Sequence, residues 1–128
     1  MKSYHIAVDF HGTCVGHNYP DTGKTIDLAV YYLQKLQRFH ELILWTCGND
    51  KELQDAIAWF AEHKIELNDI AYFPVRGVIR KVCADFFIDD KAIGTPLMPD
   101  PDNKGELIVD WQKLSPYLHQ YGLLAEAY

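Results

Sequence analysis

Carboxylates, a hydroxyl and a lysine stand beside the apolar runs of this chain, and together they could perform phosphoryl transfer. The run at residues 5–8 ends on Asp9, which opens a segment that turns at Gly12. A carboxylate delivered by a buried strand onto a Gly-Thr turn is costly to desolvate unless something binds there. The other candidates hold similar positions near later strands: Thr46, Lys81, Asp89 and Asp90.

The chemistry of this set is coherent around a divalent cation. Clustered carboxylates raise each other's pKa unless a cation lies between them. Oxygen ligands suit Mg²⁺, which takes one or two carboxylates, several waters and a substrate phosphate. Once the charge of the phosphate is screened, Asp9 can attack phosphorus and form an aspartyl-phosphate. Thr46 and Lys81 would hold the phosphate oxygens as negative charge spreads over them, and Cys47 belongs to the same expected substrate-binding edge.

Short apolar runs alternate with helical patterns along the chain. Five strands are predicted, at residues 5–9, 41–45, 69–73, 84–88 and 107–109. Residues 14–24 and 94–105 are rich in turn formers. The first segment is predicted as a loop or small flap, and the second as an exposed loop. The alternation predicts one α/β domain over residues 1–128. We expect a three-layer, Rossmann-like fold with a mostly parallel sheet of about five strands, helices on both faces and ligands at the carboxyl ends of the strands.

Capping residues and apolar spacing predict where the helices lie. They are expected from a cap at Thr25 or Asp27 to Phe39, from a cap at Asn49 or Asp50 through Phe60, over 78–83 and over 111–121. Pro116 lies within the last of these. Because proline is tolerated in the first turn of a helix but not in its interior, the last helix is expected to begin near Ser115.

The composition excludes some classes of function. The chain has 128 residues, a net charge of −6 and 48% hydrophobic residues, which is typical of a globular domain. The acidic balance argues against nucleic acid or an anionic membrane as a partner. No apolar stretch reaches the roughly 20 residues that span a bilayer. Cys14, Cys47 and Cys83 are too scattered for a disulfide framework, so we expect buried, reduced thiols in a cytoplasmic protein.

Four segments carry a resemblance to a known family. They are Val8–Thr13, Leu44–Thr46, Lys81 and Phe87–Asp90, in that order. The order and types of these residues resemble the four motifs of the haloacid dehalogenase-like phosphohydrolase superfamily. The segments 92–97 and 109–111 also look like those of its small capless bacterial and phage members.

The resemblance implies a role for each matching residue. Asp9 would be the nucleophile and a metal ligand, and Thr46 and Lys81 would bind phosphate. Asp89 would be a second metal ligand. Asp90 would reach the metal through water or orient Lys81, and the backbone carbonyl of His11 would complete the metal site.

His11 departs from the family pattern, in which a second aspartate serves as the general acid and base. Imidazole has an unperturbed pKa of about 6.5 and is a reasonable substitute. The alternative is a catalytically impaired module that binds metal and phosphate without useful turnover. A transition-metal site formed by His11, Cys14 and His17, with Cys47 close by, is a weaker alternative because its spacing is not that of a zinc motif.

Neither segment that could hold a cap domain is long enough for one. Residues 14–24 are too short for a folded insert, and residues 61–80 allow only a strand and a loop, so the site is expected to be open. Two hypotheses follow. The phosphorylated substrate is large or sugar-linked, or a neighbouring subunit of a homo-oligomer covers the site.

Overall fold

A computed structural model describes residues 2–18, 21–74 and 82–124, with the backbone alone described at 72–74. The strands are β1 His5–Val8, β2 Val15–Asn18, β3 Asp21–Thr25, β4 Glu41–Gly48, β5 Asp69–Pro74, β6 Phe86–Ile88, β7 Leu97–Pro99 and β8 Leu107–Val109. The helices are α1 Ala29–Gln37, α2 Asp50–Glu62 and α3 Trp111–Gln120.

The main sheet has four parallel strands in the order β5-β4-β1-β6. The predicted parallel sheet is therefore present, but it has four strands rather than about five. The predicted fifth strand forms as β8 but pairs antiparallel with β7 in a separate two-stranded sheet. An apolar run of three residues indicates a strand without specifying its partner, so the sequence could not choose between the two sheets.

Both predicted loops contain strands. Segment 14–24 folds into the antiparallel hairpin β2–β3, and segment 94–105 contains β7. The hairpin depends on a close backbone approach, because a Cβ atom on Gly23 would lie 2.2 Å from the carbonyl oxygen of Gly16. The same glycines that suggested a loop thus allow two strands to meet.

The described helices pack against one face of the main sheet. One buried cluster contains Ile6, Val8, Leu42, Leu44 and Ile88 from the strands, with Leu33 and Leu36 of α1, Trp59 and Phe60 of α2, and Trp111 and Leu118 of α3. Residues two apart in a strand share a face, so these strand residues face the helices together. The helix predicted at 78–83 lies mainly outside the described residues, and helices on the second face remain a prediction.

The predicted start is right for α2 and wrong for α1. The span predicted for the last helix, 111–121, is confirmed by α3, but the start near Ser115 expected from Pro116 is wrong. Asn49 caps α2, and its side chain accepts a hydrogen bond from the backbone of Glu52 at 2.9 Å. The N-cap of α1 is Leu28, in a left-handed conformation with φ +69°, rather than Thr25 or Asp27. Helix α3 begins at Trp111 and keeps Pro116 inside it.

The two ends of the described chain meet at a buried histidine. The ring of His40 accepts a hydrogen bond from the backbone of Tyr4 at 3.1 Å and lies 2.7 Å from the carbonyl oxygen of Leu123. Among the described residues, no helix has both the length and the apolar character needed to cross a membrane.

Candidate active site

Three aspartates come together at the carboxyl edge of the sheet. Strands β1 and β6 are neighbours with Val8 opposite Ile88, so the residues that follow them emerge side by side. The backbone N–H of Asp9 extends this pairing by donating to Ile88 at 2.9 Å. Carboxylate oxygens of Asp9, Asp89 and Asp90 lie within 4.8 Å of one another.

Neighbouring donors hold these carboxylates in place. The hydroxyl of Thr13 donates to Asp9 at 3.0 Å and accepts from the backbone N–H of Asp90 at 3.1 Å. The indole N–H of Trp45 donates to one oxygen of Asp89 at 3.2 Å, and the backbone of Lys91 donates to the other at 2.9 Å. The turn after β1 and the end of β4 therefore orient the two carboxylates that follow β1 and β6.

Gly12 is required where the carboxylates pack against the turn. Its φ is +85°, a conformation that favours glycine. A Cβ atom there would lie 2.3 Å from Oδ2 of Asp90 and 2.6 Å from Nε2 of His17. The side chain of Asp90 therefore occupies the space that any other residue at position 12 would need.

The electrostatics of the cluster favour a bound cation. Burial, followed by the charges of Asp89 and Asp90, raises the pKa of Asp9 to about 9. Burial also raises the pKa of Asp90. Three carboxylates with hard oxygen donors fit an ion such as Mg²⁺ or Ca²⁺, whose charge would restore their ionised form. The chemistry of the donor set therefore fits the divalent cation expected from the sequence.

His11 lies beside helix α2. Its ring Nε2 is 3.7 Å from Oε2 of Glu52, and neither ring nitrogen has a hydrogen-bond partner within the described structure. Burial lowers the pKa of His11 and outweighs the carboxylate charges, of which Glu52 contributes most. The uncharged imidazole is thus the favoured form at neutral pH.

Two of the predicted substrate-binding residues, Thr46 and Cys47, lie near the end of β4. Thr46 is buried, and its hydroxyl donates to the carbonyl of Cys47 at 3.4 Å. Partial burial raises the pKa of the Cys47 thiol, and the charges of Asp9, Glu52 and Asp89 raise it further. The negative charges of the acidic cluster therefore act on the Cys47 thiol. Lys81 falls outside the described residues.

The described side chains do not form the alternative transition-metal site. Cys14 is buried, its thiol donates to the backbone carbonyl of Asp9 at 3.3 Å, and burial raises its pKa well above the usual range. His17 instead lies 3.0 Å from the carbonyl oxygen of Leu107. Within the described part of the chain, the three aspartates are the sole group of possible metal ligands found. The expectation of buried thiols is wrong for Cys47 and Cys83, which are exposed.

Sequence reasoning missed two residues beside the carboxylates. Trp45 suggested only packing, yet its N–H reaches Asp89. His17, considered only as a zinc ligand, places its Nε2 3.4 Å from Oδ2 of Asp90. A polar atom on a strand or hairpin residue gives no signal of its partner, because that partner depends on the tertiary register.

The fold and the acidic cluster define a class of α/β protein whose carboxylates gather at the carboxyl edge of a parallel sheet. No protein-family model matches the chain, and neither does any curated protein. A solved structure of a conserved protein from Bacteroides thetaiotaomicron is similar, with 33% sequence identity and a TM-score of 0.72 over 94% of this chain and 93% of that one. The chain belongs to the same family as that conserved protein.

Proposed function

We propose that this chain is a capless, Mg²⁺-dependent phosphohydrolase of the haloacid dehalogenase-like type. The observation that supports this most is the meeting of Asp9, Asp89 and Asp90 within 4.8 Å beside the Gly-Thr turn. Oxygen-only ligands favour a hard divalent cation. The motif order along the sequence supplies the second line of support.

Each residue has a role in the proposed reaction. Asp9, Asp89, Asp90 and the carbonyl of His11 would hold Mg²⁺, which supplies charge neutralisation of the phosphate when it is bound. A carboxylate oxygen of Asp9 attacks phosphorus, and the bond from phosphorus to the leaving oxygen breaks. Water then attacks the aspartyl-phosphate, which releases inorganic phosphate and restores Asp9. Thr46, Lys81 and Cys47 are proposed as the substrate-binding residues.

His11 would act in the second of these steps. Its lowered pKa favours the neutral ring, which can accept a proton from the attacking water. The same shift disfavours the imidazolium that would protonate a leaving group.

The second candidate is an impaired phosphate- or metal-binding module. It is favoured by the location of the His11 ring, 3.7 Å from Glu52 on α2. A ring held there would contribute nothing to proton transfer. Loss of general acid–base catalysis typically costs 10²–10⁴-fold in rate.

Hydrolysis of p-nitrophenyl phosphate, with Mg²⁺ or with EDTA, tests the proposal. We expect Mg²⁺-dependent release of phosphate that Asp9→Asn abolishes and His11→Ala reduces. Glu62→Gln is the matched control, because Glu62 is exposed on α2 away from the cluster. A silent parent that gains activity with His11→Asp would support the impaired module. Full activity in Asp9→Asn would contradict both the nucleophile and the mechanism.

If the site is open, two hypotheses about what covers or enters it follow. Between β1 and α1, the described residues hold only the hairpin β2–β3. A large or sugar-linked phosphate ester could enter an open site directly, or a second copy of the chain could cover it. Light scattering of the purified protein separates these hypotheses, because a strict monomer would remove the second.

A further inference from the structure

A cavity lies beside the acidic cluster, between the hairpin β2–β3 and the loop that follows β7. Its volume is about 480 Å³, and its lining includes His17, Asp27, Asp100 and Asn103. His17 joins it to the candidate active site, since its Nε2 is 3.4 Å from Oδ2 of Asp90. A group bound in the cavity would therefore be separated from the carboxylates by a single side chain.

The lining carries surplus negative charge. Asp27, Asp100 and Asp102 line the cavity, together with the cation Lys24. The ammonium of Lys24 is already paired with Asp102 at 3.3 Å. Within the described residues, Asp27 and Asp100 have no cationic partner. The cavity thus repels anions and attracts a positively charged group.

Asp100 is the buried acceptor in this cavity. Its exposed fraction is 8%, and its Oδ1 accepts the backbone N–H of Asp102 at 2.9 Å. Its Oδ2 has no donor among the described residues and lies against Gly16, where a Cβ atom would be 2.7 Å away. This oxygen is therefore free to accept a hydrogen bond from a ligand in the cavity, and a charged donor there would be favourable.

The remaining wall is apolar. Ile26 and Ile108 are almost fully buried, and together with Met98 they line the same space. A short aliphatic chain would pack against this wall while its charged end reached Asp100. An apolar wall with a few convergent polar groups is the usual form of a small-molecule site.

We propose that this cavity is a subsite for an ammonium group carried by the leaving portion of the substrate. The assignment of this ammonium group to a substrate rests on the proposed phosphohydrolase function. The ammonium group donates hydrogen bonds to Oδ2 of Asp100 and is attracted by Asp27. A neutral polyol could donate a hydrogen bond to Asp100 but would not neutralise the negative charge of the cavity. The test must therefore compare a charged ligand with a neutral one.

Amide NMR titration of the full chain with ethanolamine and with ethylene glycol, at constant ionic strength, tests the subsite. The two probes have the same number of heavy atoms and differ in charge. We expect ethanolamine to shift the amides of residues 22–27, 100, 102 and 103 saturably, and ethylene glycol to leave them unchanged. Equal shifts with both probes, or none with ethanolamine, would overturn the proposal.

Two variants locate the binding. Asp100→Asn should weaken ethanolamine binding about tenfold, the loss expected for one charge-assisted contact. Asp27→Asn should weaken it about two- to fivefold, because Asp27 is exposed and its charge is screened by solvent. Glu62→Gln should bind as the parent does. If Asp100→Asn fails to fold, Asp27→Asn still decides, because Asp27 lies at the exposed surface. Unchanged binding in Asp27→Asn would refute the electrostatic part of the proposal.

The NMR titration tests the subsite independently of the proposed phosphohydrolase function, because ligand binding requires no turnover. If ethanolamine binds but p-nitrophenyl phosphate is not hydrolysed, the cavity is a cation site and the phosphohydrolase proposal fails. If hydrolysis occurs without ethanolamine binding, the subsite fails alone. If both hold, kcat/KM for phosphoethanolamine should exceed that for glycerol phosphate, and Asp100→Asn should remove the difference.

Discussion

At Gly12 the chain has room for a hydrogen atom and nothing larger, because the carboxylate of Asp90 and the ring of His17 lie directly against it. Gly12→Ala should destabilise the protein by roughly 3 kcal/mol, combining left-handed backbone strain with overpacking. Chemical denaturation measures this loss. Gly105→Ala is the matched control, since Gly105 has φ +91° and a Cβ atom there would meet nothing within 4 Å. Equal losses in both variants would mean that the contact with Asp90 contributes nothing.

The indole of Trp45 orients the carboxylate of Asp89. Trp45→Phe removes its N–H while preserving an aromatic ring against Phe87, whose centroid is 6.0 Å away. We expect the affinity for Mg²⁺ to fall about 10–100-fold, as for other groups that position a metal ligand. Calorimetric titration with Mg²⁺ measures this affinity.

Trp59→Phe serves as the control for that substitution. The indole N–H of Trp59 donates to Thr25 at 2.9 Å, away from the carboxylates. This variant should lose stability but keep the Mg²⁺ affinity of the parent. If Trp45→Phe binds Mg²⁺ as tightly as Trp59→Phe does, the hydrogen bond to Asp89 does not position the ligand.

Among the elements, α2 has the best-defined start. Asn49 and Glu52 exchange hydrogen bonds, each 2.9 Å long, between side chain and backbone. Asn49→Ala should reduce the free energy of unfolding by about 1 kcal/mol, and Asn49→Asp should retain most of it. Urea denaturation tests this. No loss in the alanine variant would show that tertiary packing alone holds the helix start.

The elements also show what sequence patterns could predict. Asp9 and Asp89 were predictable as neighbours because each follows an apolar run and parallel strands share one carboxyl edge. The pairing of β8 with β7 was not, since Leu107–Val109 carries no information about its partner. The roles of Trp45 and His17 were missed for the same reason. Short-range patterns specify elements, whereas long-range register decides which polar atoms meet.

At the scale of the whole molecule, the acidic cluster couples stability to pH and to cations. The pKa of Asp9 is raised from 3.8 to about 9, so the folded protein binds this proton more tightly than the unfolded chain. In EDTA, the stability contributed by protonated Asp9 is fully present below pH 3.8 and is lost as the pH rises toward about 9. Mg²⁺ should oppose this loss by binding the ionised form.

Thermal unfolding between pH 5 and pH 9, in EDTA and in Mg²⁺, measures this coupling. We expect Asp9→Asn to have a flatter Tm profile than the parent in EDTA and a smaller response to Mg²⁺. Glu62→Gln should follow the parent. A parent and an Asp9→Asn variant with the same profile would contradict the raised pKa.

The pairing of β1 with β6 joins parts of the chain that are far apart in sequence, as the 80-residue separation of His5 and Asp85 illustrates. Closing so large a loop makes this a high contact-order step. During synthesis, Asp9 leaves the ribosome long before Asp89 and Asp90 do. A nascent chain therefore lacks part of the metal-ligand set. The complete set forms only when β6 pairs with β1, so cation binding would report that folding step.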